Sequence, residues 1–283
     1  MKKAGMKVAS VALAALSAFA FTSCKKDDKE LIGFDIDLAK KTVAYLNETY
    51  DVDLEVEFVE IDWSTKEAKL ADGTLDLVWN GMTITEERSA EMCISVPYLY
   101  NKQVAVIMKS DAEKYTTKES MADAIMTAET GSAGESVVQD QDLGAEYVVA
   151  PSQLDALMKL DKGEADVAVI DSVMAGYYTS TGDYASKMQI VDGLVFAEES
   201  YGIAAKKGNN ALMSKINEAL IAIRTTGYAE VVAQYGLTSS VALNADTVDV
   251  YAGATDDSWA NVVSSGKLVI GYTIFAPIAY EKD

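Results

Sequence analysis

Histidine is missing altogether from the 283 residues. Its absence excludes Ser-His-Asp and Cys-His nucleophile systems, HExxH metal sites and histidine-based pH switches. Cysteine is nearly as scarce, with only Cys24 and Cys93. Basic residues are in deficit, 24 Lys plus Arg against 44 Asp plus Glu for a formal net charge of −20. A surface of that sign repels a polyanion, so nucleic acid is excluded as a partner. What is present is a chain with 49% hydrophobic residues and only three prolines. It is long enough to bury a real core, and disordered, collagen-like and fibrous classes fall away. Any catalysis would rest on carboxylates, Lys, Tyr or the two cysteines.

Residues 1–23 form a separate device. Lys2, Lys3 and Lys7 give a positive start, and residues 8–21 (VASVALAALSAFAF) an apolar run shorter than the ~20 residues of a membrane span. The pattern is that of an export signal. The small residues Thr22 and Ser23 stand directly before Cys24, which resembles the bacterial lipoprotein signal, whose cysteine becomes the acylated first residue. Residues 24–29 would then be a polar tether, and the chain beyond residue 23 carries −23. With Cys24 acylated, Cys93 has no partner for an intramolecular disulfide, and its apolar surroundings (MCISVPY) mark a buried small hydrophobe.

Beyond the tether, helical and strand patterns alternate. Residues 35–48 carry Ile36, Leu38, Ala39, Val43 and Leu46 at helical spacing behind Asp35, a candidate N-cap. A strand at 54–58, a helix at 64–71, a turn at Asp72-Gly73 and an apolar strand at 75–79 follow as a β-α-β unit, implying parallel pairing. The alternation continues with a strand at 103–108, a helix opening at 131–135, a strand at 147–149, a helix at 153–162 and a strand at 166–170. Helices at 211–224 and 228–235 precede a polar stretch, 238–257, that reads as a linker. A helix around 259–264 and a strand at 267–272 (KLVIGY) close the chain. The class is α/β throughout. The GSAGES run lacks the lysine of a Walker loop, so ATP binding has no support.

Four ordered motifs carry a family resemblance. Residues 30–41 read ELIGFDIDLAKK, residues 79–88 WNGMTITEER followed by Ser95, Pro97 and Tyr98, residue 171 ends the strand DVAVID, and residues 266–283 read GKLVIGYTIFAPIAYEKD. Together they resemble the extracellular solute-binding proteins of amino-acid ABC transporters, of the bilobed periplasmic-binding type II fold. In that family the GKLVIG-like strand and aromatic-Pro segment come before GFDIDLA, whereas here they come last. The chain therefore reads as circularly permuted, which predicts that residue 283 lies near residues 29–31.

The resemblance implies roles for particular residues. Arg88 would grip the carboxylate of an amino acid with its planar fork, Thr83 would add a hydroxyl, and the Gly81 carbonyl would accept from the ammonium. Ser132 and the N–H groups of the GSAGE loop, at a helix start, would meet the carboxylate from the opposite lobe, where Asp171 would pair with the ammonium. Phe275, Trp63 and Tyr272 match positions around the ligand side chain, with core packing the rival role for Tyr272 above all. Glu129 falls where side-chain selectivity varies and would favour a cationic or amide-bearing ligand, although Tyr272 replaces the acid of relatives that bind basic amino acids. Asp35 reaches either the ligand or the helix end; Glu135 reads as a first-turn acid.

The expected organisation is a lipoprotein signal (1–23), a tether (24–29), a discontinuous lobe (30–101 plus 198–283, including 238–257) and a continuous lobe (102–197). The implied function is capture of a polar or cationic amino acid between the lobes and its delivery to an ABC permease, without catalysis, cofactor or metal. The protein would be an exported monomer held to the cell envelope by a lipid on Cys24. A cleft enzyme of the same fold, like cyclohexadienyl dehydratase with Glu129 as its working carboxyl, is the alternative.

Overall fold

The computed structural model describes residues 30–282. The expected signal, Cys24 and tether lie outside the described residues. The chain begins with a short strand β1 (Leu31–Ile32), helix α1 (Phe34–Tyr50), strand β2 (Glu55–Glu60), helix α2 (Lys66–Asp72), strand β3 (Leu77–Thr83), helix α3 (Glu86–Glu91) and strand β4 (Met92–Ile94). It continues through β5 (Leu99–Met108), β6 (Ile125–Glu129), α4 (Ala133–Asp140), β7 (Glu146–Ala150), α5 (Gln153–Lys162), β8 (Val167–Asp171), α6 (Ser172–Ser180) and β9 (Met188–Lys206). The last elements are α7 (Asn210–Ala222), α8 (Ala229–Gln234), α9 (Ser258–Ser265), β10 (Lys267–Tyr272) and β11 (Tyr280–Glu281).

The main sheet runs β2-β10-β3-β9-β5-β8-β6-β7, with β4 also on β9. It contains two parallel units. In one, β10 lies between β2 and β3; in the other, β6 lies between β7 and β8. Strands β5 and β9, antiparallel to each other from Leu99 opposite Tyr201 to Met108 opposite Met188, join the two units. Their register shifts near Gln103 to Val106, so the pair bends where it passes from one unit to the next.

Each unit has its own core, as expected when parallel strands are covered on both faces. Leu77, Trp79, Ile203 and Ile270 pack with Phe34, Leu38 and Leu46 of α1 and with Leu212, Ile216 and Leu220 of α7, while Ile61, Leu70 and Val78 fill the other face. In the second unit, Ala105, Met126 and Val169 pack with Val137 and Val138 of α4, and Val106, Ala168 and Ile170 with Ala156, Leu157 and Leu160 of α5. Cys93 is buried in the first core beside α7.

Two sequence expectations change here. Asp35 does not cap α1: the N-cap is Gly33, and Asp35 is 1% exposed inside the first turn. Gly33 is required there because its φ is +137° and a Cβ would lie 2.3 Å from the Ile278 carbonyl oxygen. Nor is 238–257 a loose linker. Ala242 and Leu243 are buried, Val241 bridges to Leu99, and Asp249 accepts from Asn217 Nδ2 (2.6 Å) and Ser214 Oγ (3.0 Å) of α7. The segment is a strap fastened over α7. The two ends of the described chain also meet: β1 pairs antiparallel with β11, and the Lys282 N–H donates to the Glu30 carbonyl at 2.9 Å.

Candidate functional site

The C-terminal ends of β3, β6 and β8 and the segment after β10 converge on one cleft, the place where α/β sheets commonly hold ligands. Its walls are Trp63, Asn80, Gly81, Thr83, Arg88, Thr273 and Phe275 from the first unit and Glu129, Ser132, Ala133, Gln153 and Asp171 from the second. They enclose about 360 Å³, part of it open to solvent. Eight of the ten residues expected from the sequence therefore share one cavity: Trp63, Gly81, Thr83, Arg88, Glu129, Ser132, Asp171 and Phe275.

Local sequence explains how several are held. Thr85 caps α3, its hydroxyl accepting from the Arg88 N–H at 3.0 Å, which fixes the backbone from which the guanidinium projects. That guanidinium donates to the Thr83 carbonyl (2.9 Å) and, across the cleft, to the Gly131 carbonyl (3.1 Å). Burial lowers its pKa against the pull of Glu67, Glu199 and Asp171, and a guanidinium keeps its charge even so. On the opposite wall Ser132 caps α4: its hydroxyl accepts from the Glu135 N–H (3.1 Å), and the Glu135 carboxylate reaches back to accept from the Gly131 N–H (2.7 Å). Ser132 retains its own O–H for a donor role. Glu135 also accepts from the Tyr147 hydroxyl at 3.0 Å, so it is more than a first-turn acid.

Gly81 has φ +63°, and a Cβ there would meet a Phe275 ring carbon at 2.7 Å, so only glycine lets the ring lie against the strand. Phe275 is 4% exposed and packs edge-on against Tyr201. Trp63 is buried where Asp62 caps a short 3₁₀ turn by accepting from the Ser64 N–H at 2.9 Å.

Two expected contact residues stand elsewhere. Asp35 lies behind the cleft wall, where one carboxyl oxygen accepts from the Gly81 N–H (2.8 Å) and the Tyr98 hydroxyl (2.8 Å). It fixes the Gly81 turn from within the core. Tyr272 points away from the cavity and packs edge-on against Phe58 beside Ile36 and Ala279. Tyr272 ends β10 one residue before Thr273, which lines the cleft, and the alternation of side chains along an extended chain sends it to the core instead. Thr83 differs in partner: its hydroxyl donates to Glu199 at 3.0 Å, which commits the hydrogen expected to meet a carboxylate.

Sequence reasoning missed a polar shell around Asp171. Gln153 Nε2 donates to one of its oxygens while Gln153 Oε1 accepts from the Asp171 N–H at 3.0 Å. Asn101 and Gln103 on β5 donate to the other oxygen and also to Glu199 on β9. Burial, then the neighbouring Glu199, pushes the Asp171 carboxyl well above the ordinary range. Lys66 was missed as well. Its side chain is 2% exposed, and its ammonium pairs with Glu67 (3.0 Å) and donates to the Trp63 (3.2 Å) and Gly131 (3.1 Å) carbonyls. Burial raises Glu129 to about 8 even though Lys66 and Gln153 favour its charged form. The spacing of DWSTKE marks Lys66 as one turn beyond Trp63, the only sequence signal that set it near the site.

Two walls that bring a guanidinium and a carboxyl to opposite sides of one cavity invite comparison with known proteins. The model of the bacterial extracellular solute-binding proteins, family 3, matches residues 13–238. The chain belongs to this family. It is 29% identical over 210 residues to a probable histidine-binding protein of Neisseria gonorrhoeae, covering 72% of this chain and 74% of that one. It is 27% identical over 199 residues to the ABC transporter glutamine-binding protein of Bacillus subtilis, covering 70% of each. Among solved structures, an ancestral arginine-binding protein bound to arginine superposes with a TM-score of 0.65 at 31% identity, covering 74% of this chain and 90% of that one. The fold is thus the two-lobed type II periplasmic-binding fold.

Proposed function

We propose that this family 3 protein captures a polar or cationic α-amino acid between its lobes and presents it, chemically unchanged, to an ABC permease. The observation that carries the reading is the placement of Arg88 and Asp171 on opposite walls of one buried cleft. An α-amino acid carries a carboxylate and an ammonium on one carbon, so it satisfies both walls at once. In this reading Arg88, now spent on the Thr83 and Gly131 carbonyls, turns one edge of its fork to the carboxylate. Ser132 and the first N–H groups of α4 add donors. Asp171 takes the ammonium with the Gly81 carbonyl, Trp63 and Phe275 hold the side chain, and Glu129 meets its polar end.

Closure follows from the same geometry. The lobes are 30–101 with 198–283 and 102–197, and β5 and β9 serve as the hinge between them. A molecule that bridges Arg88 and Asp171 binds only the closed arrangement and draws the equilibrium toward it. The cross-cleft bonds from Arg88 and Lys66 to the Gly131 carbonyl belong to that closed arrangement. Relatives named for histidine and glutamine binding, and a related structure holding arginine, support the ligand class.

The same reading makes the protein an exported monomer, anchored through an acylated Cys24, with a circularly permuted domain. Support for the permutation is the pairing of β1 with β11 and the family match that stops at residue 238, leaving outside it β10, a central strand of the first lobe.

A thermal-shift screen against the twenty L-amino acids tests the reading. An amino acid at about 100 times its Kd stabilises the protein by about 2.7 kcal/mol. A selective shift that vanishes in Arg88→Ala is the expected result; a shift that survives it, or conversion of the bound molecule, overturns the proposal.

A further inference from the structure

Behind Asp171 stands a second acid that the ligand set above does not use. Strands β8, β5 and β9 lie side by side, with Gln103 opposite Asp171 on one flank and Asn101 opposite Glu199 on the other. The two carboxyls are therefore wired to the same amides. Gln103 Nε2 lies 2.8 Å from Asp171 Oδ1 and 2.9 Å from Glu199 Oε1, and Asn101 Nδ2 donates to the same two oxygens. The Asn101 amide cannot turn round, because its oxygen accepts from the Ser172 hydroxyl (2.9 Å) and the Val173 N–H (3.3 Å). Glu199 also takes the Thr83 hydroxyl at 3.0 Å and lines the opening beside Arg88.

We propose that Glu199 is the second acid of the ammonium subsite, and that in the ligand-free protein Asp171, held against it, keeps a proton that a bound ammonium expels. Asp171, buried and brought this close to a second acid, resists ionising more than its amide donors favour it. An ammonium placed against Asp171 supplies a compensating positive charge, Asp171 ionises, and its proton passes to solvent. The inference rests on the cleft being an α-amino-acid site.

The surroundings are consistent with this balance. Arg88 on α3 is the cation facing both acids, and Tyr201 on β9 is the neighbouring phenol. Lys102 beside the pair is engaged with Glu198 at 3.3 Å, and across the cleft Lys66 and Glu129 face each other's field. Burial and Glu199 together hold Asp171 above the ordinary carboxyl range. Glu129 is the one other cleft acid able to give up a proton near neutrality, and the test must separate the two.

The probe is whichever of the twenty L-amino acids stabilises the protein most. Its titration at pH 7 is repeated in buffers of different ionisation enthalpy, which gives the protons released on binding. Release of up to one proton is expected, with affinity falling by up to about tenfold per pH unit as the pH drops below the titration of Asp171. In Glu199→Gln the release should fall and the pH dependence should move to lower pH, with burial alone left to hold the proton on Asp171. A mere loss of packing would weaken binding without changing the proton count. Binding without proton release in the wild-type protein overturns the inference and leaves the amino-acid reading standing. Release that survives Glu199→Gln and disappears in Glu129→Gln overturns it too. If none of the twenty binds, the amino-acid reading fails and the inference with it.

Discussion

Asp35 has one carboxyl oxygen on the Gly81 N–H and Tyr98 hydroxyl, and the other buried without a hydrogen-bond partner. Burial raises its pKa from 3.8 to about 7. The folded protein therefore keeps this proton to higher pH than the unfolded chain. The stabilisation is fully present below the unfolded value and is lost as the pH rises through about 7. Asp35→Asn should flatten that decline. Urea unfolding at pH 5 and pH 8 measures it: the wild type should lose more stability between the two than the variant, by up to about 2.5 kcal/mol. Equal losses would show that the carboxyl is not held neutral. At this scale the sequence was partly legible. Arg88, Thr83 and Gly81 stand together in one motif, and Trp63 one strand earlier, so a resemblance finds them. Lys66, Gln153, Asn101, Gln103 and Glu199 carry no local pattern; only the juxtaposition of β8, β5 and β9 gives the last three a shared purpose.

Among the elements, the strap over α7 shows how a polar stretch is ordered without periodicity. Asp249 binds Asn217 and Ser214 on α7 and accepts from the Tyr251 N–H at 2.9 Å. Asn217 is fully buried, and its oxygen in turn accepts from the Val96 N–H at 2.9 Å. Asp249→Ala strands that buried amide, so a loss of roughly 1–3 kcal/mol is expected in denaturant unfolding, whereas a change within 0.5 kcal/mol would mean that the strap is not anchored there. Periodic segments were easy to read, since α5 and β10 occupy the residues their patterns implied. Strand β9 was not read at all. Its 19 residues run from one parallel unit of the sheet to the other, and burial is continuous only near its end, so neither an alternating nor a fully apolar pattern develops. The strap was misread for a similar reason: its order comes from side-chain hydrogen bonds to α7 rather than from an apolar stripe.

For the whole molecule, the pairing of β1 with β11 makes the position of the chain ends a topological choice rather than an architectural one. Joining residue 283 to residue 30 and opening the chain at the exposed residues 244–246 would place β10 at the start, in the family's order. Because such exposed turns tolerate new ends, the relinked protein should melt cooperatively, within about 10 °C of the original, and show the same amino-acid preference. Failure to fold would argue against the permuted reading. The alternation of elements makes the α/β class and the parallel units legible, and the order of the GFDIDLA and GKLVIG motifs implies neighbouring ends, where β1 pairs with β11. The resemblance places the two crossings at 101/102 and 197/198, inside β5 and β9, although the local pattern marks β5 only from residue 103 onward and does not mark β9.

The central claim is that one closed cleft holds both charged ends of an α-amino acid. Titration calorimetry tests it most directly, comparing the best-binding amino acid with two analogues, one lacking the carboxylate and one lacking the ammonium. With Arg88 and Asp171 each meeting one end, each analogue should lose about 100-fold or more in affinity, the worth of a lost charged hydrogen-bonding partner. An analogue that binds as tightly as the parent would contradict the account.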